Sequence, residues 1–449
     1  MSQPAVTIMM AVAALLAAGL LVPSIRQARA AGDLDASTAL TFGMGLLTIL
    51  PSALVVITGN LDRRLDAFRE LAPFFPSWYR DADRIALFLL AALAGFLLLR
   101  RLASDRVPVH TTGLFALLLW TVAQLSSGLQ GGPLISPRGA LLLLCLLTAT
   151  TLPRGRGACL GAGVFGVTLA IASSVLGVFR HDIAFVAGCE GACGGLGFSG
   201  VLPNENLLGV TLVVSIPFVY LGFRGHVRLW FVLYLAGMAI ATGSRTAVVA
   251  AIAISLALLI VRPQLDSDRK TPGRGAIAGL VLVAATIGSV YVALHHWNPY
   301  ALTTRPLLWR VASSYIHRSP WFGYGPEKWS SLYGSSEIPL AGQRSTHNLW
   351  MDVLFVAGIV GAVLLVALAL AALWSSGRAR PGVLLVLATI LMVGTTEGSW
   401  SVGTLDLQSF SLVALILTGA TGGREAPPLV ATESTARPGR LLPASNTRA

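Results

Sequence analysis

A histidine followed by an asparagine opens the stretch "STHNLWMDVLFVAGIVG", which runs from Ser345 to Gly361. An imidazole exchanges protons near neutral pH more readily than any other side chain. His347 stands at the N-terminus of an apolar run, where the helix dipole disfavours a positive ring. A neutral imidazole that accepts a proton, a general base, is the chemistry this position suggests.

Cationic groups stand in two further stretches. In "ATGSRTAVV", Arg245 lies between two apolar runs, with Ser244 and Thr246 beside it. A helix N-terminus with free N–H groups already attracts anions, and an adjacent guanidinium makes it a phosphate site. The alternative is an arginine reaching to lipid headgroups, but the shortness of the loop favours the anion site. In "TTRPLLWRVASSYIHRSPWFGYGPEKW", Arg305 and Trp309 are four residues apart and share a helical face. Pro320, Gly323 and Gly325 then force a turn, while Arg310, Arg318, Arg344 and His317 read as headgroup or solvent contacts.

The polar cluster in "VLPNENLLG" is Asn204, Glu205 and Asn206. Capping accounts well for one Asn at a helix start and less well for the whole triplet, so Asn204 and Asn206 are also candidate substrate contacts, as is Asn348. Asp352, one turn below Asn348, is a carboxylate inside an apolar helix, a functional candidate by default. It reads somewhat better as a hydrogen-bonding partner for a neighbouring helix, and Glu397 has the same standing. Of three D-x-D pairs, Asp33/Asp35 and Asp266/Asp268 fall away from the histidine. Asp81/Asp83 is flanked by Arg80 and Arg84, which look like its charge partners. No metal and no organic cofactor is expected.

The elements that position these groups are membrane helices. Of 449 residues, 55% are hydrophobic and 12% charged, against about a quarter charged in soluble domains; mean hydropathy is +0.74. Reading apolar runs against polar breaks gives about thirteen candidate spans. They fall near 5–24, 38–58, 85–99, 111–128, 139–152, 158–179, 206–223, 229–243, 246–261, 275–295, 349–374, 382–396 and 407–421. The fold class is therefore an all-α polytopic membrane protein of about 12 to 13 helices. The N-terminal run has no positive charge ahead of it and reads as a retained first span rather than a signal peptide. Residues 1–422 form one domain, and the Pro-, Ser- and Thr-rich tail, 423–449, is expected to be disordered.

A net charge of +12 does not point to nucleic acid, because the arginines are scattered through short loops. They concentrate in the odd-numbered connections and the tail, which the positive-inside rule places in the cytoplasm. The long loop 296–348, and with it His347, is then outside. The segment 59–84 mixes Arg, Asp and aromatics at helical spacing, as an amphipathic helix on the outer interface would. Cys145 and Cys159 read as small core residues, while Cys189 and Cys193 lie in a polar Gly-rich loop where a disulfide would need an oxidising compartment.

An outward cluster of arginines, a helix N-terminus and a neutral histidine suits a donor whose leaving group is a lipid diphosphate. Arg245 and Arg305 would hold the diphosphate, and His347 would take the proton of an acceptor hydroxyl. One displacement with one base inverts the anomeric carbon.

In order along the chain, "LPNENLLG", "GSRT", "RPLLWRVASSYIHRSPWFGYG" and "HNLWMDVLFVAGIVG" resemble the O-antigen ligase/O-antigen polymerase superfamily of bacterial membrane glycosyltransferases. The resemblance implies a class C glycosyltransferase-like bundle with a large periplasmic loop, in the cytoplasmic (inner) membrane, with an outward-facing active site. It implies Arg245 and Arg305 as diphosphate-binding residues, His347 as the base, and no metal. The partners implied are a polyprenyl-diphosphate-linked (undecaprenyl diphosphate-type) glycan donor, a glycan or lipid acceptor, and membrane lipids. Two departures concern acceptor recognition: Val356 stands where the family often has an acidic residue, and Glu205 where it commonly has a small or variable one. The competing reading is a transporter or flippase for a lipid-linked saccharide. Such proteins place polar groups on broken helices near the midplane, often in repeated halves. Here the polar groups keep to one face and no repeat is visible.

Overall fold

Each apolar run named above contains a helix. The computed structural model describes residues 3–65, 71–104, 107–189, 195–266, 274–298, 301–302, 305–334 and 345–419. The protein is an all-α polytopic membrane protein, with strands among the described residues confined to two short hairpins. In chain order the elements are α1 (Gln3–Ala30), α2 (Ala36–Ile57), β1 (Asp62–Leu65), β2 (Leu71–Phe74), α3 (Tyr79–Leu102), α4 (Thr111–Leu129), α5 (Pro137–Thr151), α6 (Arg156–Phe179), the single turn α7 (His181–Ala184), β3 (Phe185–Cys189) and β4 (Gly195–Phe198). The second half contains α8 (Glu205–Gly222), α9 (Val227–Ala241), α10 (Arg245–Asp266), α11 (Arg274–Leu294), α12 (Arg305–Arg318), α13 (Lys328–Gly334), α14 (Leu349–Ser375), α15 (Arg380–Val393) and α16 (Ser409–Leu417). Among the described residues nine helices are long and apolar enough to cross a bilayer, with α5, α9 and α15 shorter.

The centre of the bundle is α8, buried almost continuously from Leu208 to Tyr220 and packed by α6, α9, α10 and α15. The periphery carries the apolar surface that faces lipid: Leu15 on α1 and Leu280 and Ile287 on α11 are largely exposed. Polar residues start the helices where the chain enters the bundle. Asp35 caps α2 by accepting the Thr38 amide, and Ser136 caps α5 ahead of Pro137.

The two ends of the bundle differ in kind. At one end, connections from distant parts of the chain pair through arginines: Arg224 with Asp33 at 2.8 Å, and Arg154 Nη2 donating to Thr112 Oγ1 at 2.7 Å. At the other, the turns before α10, α12 and α14 meet the turn after α15. Connections assigned to one side from their charge thus do meet one another in space.

Three expectations need correction. The segment 59–84 does not form an interfacial helix; β1 and β2 pair antiparallel from Asp62 opposite Phe74 to Leu65 opposite Leu71. Pro73 and Pro76 interrupt the helical spacing, because proline breaks an intrahelical hydrogen bond. The helix near 85–99 is longer than its apolar run, starting at Tyr79. Within the Asp81/Asp83 pair, Arg84 does bond Asp81, but Asp83 bonds Arg138 on α5, not Arg80. Cys193 and the whole of the 423–449 tail lie outside the described residues.

The last apolar helix of the motif region is not continuous. In α14, Gly358 has φ 63° and ψ −161°, a break in the middle of the span. The segment 319–325 lies in that break. Tyr324 and Gly325 donate their amides to the Phe355 and Val356 carbonyls at 2.8 and 2.9 Å, while Ile359 and Val360 donate to Pro320 and Trp321 at 2.8 and 3.2 Å. The strap thereby satisfies the backbone groups that the break releases. A side chain at Gly358 would overlap the Trp321 carbonyl, so glycine is required both by conformation and by space. Tyr315, Tyr324 and Trp329 pack around the Phe355 ring above the break.

Candidate active site

Helix α12 carries the first site residue. Its buried face is Pro306, Leu308, Trp309 and Ala312, the spacing of an amphipathic helix laid on a core. That face turns both Arg305 and Trp309 toward the N-terminus of α14. The Trp309 indole N–H donates to the Thr346 carbonyl at 2.8 Å, and Arg305 Nη2 forms an ion pair with Glu397.

His347 is the last residue but one before α14. Its Nδ1 lies 3.1 Å from the other oxygen of the same Glu397 carboxylate. The site is thus organised on one acid: Glu397, only 8% exposed, holds a guanidinium with one oxygen and an imidazole with the other. Burial alone would push its carboxyl up. The Arg305 charge and the His347 contact outweigh burial and hold it below the ordinary range, as a carboxylate. With Nδ1 engaged, Nε2 is the ring nitrogen left to face a substrate.

Arg245 opens α10 and is exposed. Among the described residues its guanidinium has no hydrogen-bond or ion-pair partner. Its neighbours tie it to the same place: the Thr246 and Thr396 hydroxyls are 2.5 Å apart, and Thr396 precedes Glu397. Ser244, only 4% exposed, has a hydroxyl with no partner among the described residues, at the start of the same helix. An unpaired guanidinium, a free buried hydroxyl and the N–H groups of a helix start form an arrangement that favours an anion.

The Asn-rich turn is one helical turn away from this corner. Gly209 of α8 packs against Thr242 and Ser244. Asn204 is exposed and accepts the Leu207 amide at 2.7 Å, so its side-chain oxygen is a helix cap; Asn206 is half-buried. Asn348 is fully buried. Its Oδ1 accepts the Trp350 and Met351 amides at 3.0 and 3.1 Å, and its Nδ2 donates to the Thr395 carbonyl at 2.9 Å. Trp309 is 4% exposed. The polar atoms of Asn348 and Trp309 are therefore engaged in holding the site together, not turned outward to a substrate.

Sequence reasoning brought His347, Arg305 and Arg245 to one face but gave Glu397 no special weight. Its signal was present: "TTEGSW" places an acid in a turn free of Lys and Arg, so its cation had to come from elsewhere in the chain.

Two comparisons with known proteins bear on these residues. The family model described as O-Antigen ligase matches residues 230–366. That stretch holds Arg245, Arg305, Trp309, His347, Asn348, the strap and Gly358; Asn204, Asn206 and Glu397 lie outside it. An O-antigen ligase of Pseudomonas aeruginosa strain PAO1 is 32% identical over 176 residues, covering 37% of this chain and 40% of that protein. The chain thus spans less than half the length of this relative. The matched region, which carries His347, both arginines and the broken helix, is thus similar to O-antigen ligases.

Proposed function

We propose that the protein transfers a glycan from a polyprenyl-diphosphate donor to an acceptor hydroxyl at the outer face of the bacterial cytoplasmic membrane, with inversion, as an O-antigen ligase or a polysaccharide polymerase would. The observation that carries this reading is the shared carboxylate of Glu397, which aims His347 and Arg305 into one space.

Arg245, Arg305 and the start of α10 receive the diphosphate. His347 accepts the acceptor's hydroxyl proton on Nε2 as the oxygen bonds to the anomeric carbon. The bond from that carbon to the diphosphate oxygen breaks, its electron pair leaves with the diphosphate, and the configuration inverts. The two arginines meet the charge that develops on the leaving oxygen, where preorganised donors are most effective. Glu397 keeps Nδ1 protonated, fixes the ring, and stabilises the imidazolium that forms.

The break in α14 is the feature that would favour a transporter, since discontinuous helices build transport sites from their free backbone groups. Here those groups are taken by the strap 319–325, which favours the enzyme.

The test uses proteoliposomes given a lipid-diphosphate glycan and candidate acceptors. Glycan appearing on the acceptor, and lost in Arg245→Ala and His347→Ala, is expected. Translocation of the lipid without glycan transfer, indifferent to His347→Ala, would overturn the reading.

A further inference from the structure

His347 has a backbone conformation that residues with a Cβ avoid. Its φ is 54°; among the described residues only Leu302 shares this sign without being glycine. Such a conformation costs on the order of 1–3 kcal/mol and persists only where the surroundings over-determine it. The residue that is over-determined is the one before it.

Thr346 is fully buried, and each of its polar groups is engaged. Its amide donates to Asp352 Oδ1 at 2.9 Å, and its hydroxyl lies 2.7 Å from the same oxygen. The hydroxyl is also 3.0 Å from the Asn348 carbonyl. Its single proton is assigned to Asp352 Oδ1, the nearer of the two acceptors. As an acceptor it receives the Asn348 amide at 3.3 Å. Its carbonyl receives the Trp309 indole. The His347 amide donates to Ser345 Oγ at 3.2 Å. Asp352 thus grips two donors of Thr346 with one oxygen, from a position one turn into α14. Its other oxygen faces Gly398, the residue after Glu397, where a Cβ would come within 3.8 Å.

We infer that Asp352 is a positioning residue: by holding Thr346 it keeps His347 left-handed, at the setting from which the ring reaches Glu397. It touches neither substrate nor reacting atoms. The inference rests on the glycan-transfer reading of the same site and accounts for a charged residue inside an otherwise apolar helix.

Chemistry separates positioning from proton transfer. Asparagine at 352 keeps an oxygen that accepts both Thr346 donors, whereas alanine does not. Glycan transfer is measured under saturating donor with Asp352→Ala, Asp352→Asn, Thr346→Val and the double variant Asp352→Ala/Thr346→Val. Each protein is first checked by thermal melting in detergent. The expected result is a kcat on the order of 10²-fold lower in Asp352→Ala, as for a misplaced catalytic group. Donor KM stays unchanged and the pH profile keeps its shape. Thr346→Val falls in the same way, the double variant is no worse than either single one, and Asp352→Asn stays within a few-fold of wild type. If Asp352→Ala does not fold, Asp352→Asn and Thr346→Val decide. An Asp352→Asn as inactive as His347→Ala, or a Thr346→Val with full kcat, overturns the positioning role. Full transfer by His347→Ala would instead overturn the reading of the site itself.

Discussion

Nδ1 of His347 stands 3.1 Å from Oε2 of Glu397, although 50 residues of chain separate them. The other oxygen of that carboxylate holds Arg305, so one buried acid sets the positions of two groups from different loops. Glu397→Gln keeps the shape but leaves the guanidinium without a counter-charge, a change that costs roughly 3–5 kcal/mol at buried pairs. Because the native carboxyl titrates below the ordinary glutamate value of 4.5, its contribution is present above that value and is lost as pH falls through the lower, native one. Thermal melts of wild type and Glu397→Gln should therefore differ most at neutral pH and converge below about 4.5. A gap that widens in acid contradicts this.

The two arginines should separate in experiment. Arg305 is locked to Glu397, whereas Arg245 is exposed and waits at the start of α10. Arg245→Ala should leave stability within about 0.5 kcal/mol, while kcat/KM for the donor falls on the order of 10²-fold. Arg305→Ala should lower both. Lysine at 245 should restore only part of the rate, since it supplies a point charge without the fork. Melting curves and donor-dependent transfer rates measure both effects.

Gly358 is constrained by both conformation and space. Alanine there has to adopt a left-handed φ and to overlap the Trp321 carbonyl. Gly358→Ala should lose at least about 1–3 kcal/mol, read as a lower melting temperature with the strap displaced. A melting temperature equal to that of wild type would contradict the described break.

Most of the bundle was legible in the sequence because a bilayer demands long apolar runs, and hydropathy reports them directly. Arg305 and Trp309 were legible as a pair because helical spacing alone puts them on one face. The break at Gly358 was not. It depends on the strap, and strand-like pairing between distant segments leaves no local periodicity, although Gly323, Gly325 and Gly358 all mark it. The 62–74 hairpin was hidden by arginines and aromatics that happened to fall at helical intervals. Glu397 was read as equal to Asp352 because nothing near it in the chain names its partners, which lie 50 and 92 residues away.

Asn204 separates capping from binding. Its oxygen accepts the Leu207 amide, and aspartate or serine would do the same. Asn204→Ala should cost about 1 kcal/mol, while Asn204→Asp should keep both melting temperature and glycan transfer. Transfer lost in Asn204→Asp with stability intact would show that the amide group itself contacts substrate.

The most direct measurement is the single-turnover rate of glycan transfer by His347→Ala, with donor bound at saturation and polyprenyl diphosphate release followed alongside. Unchanged donor binding is expected, with a rate 10²- to 10⁴-fold lower, roughly the contribution of a positioned general base. Transfer by His347→Ala at the wild-type rate would contradict that role.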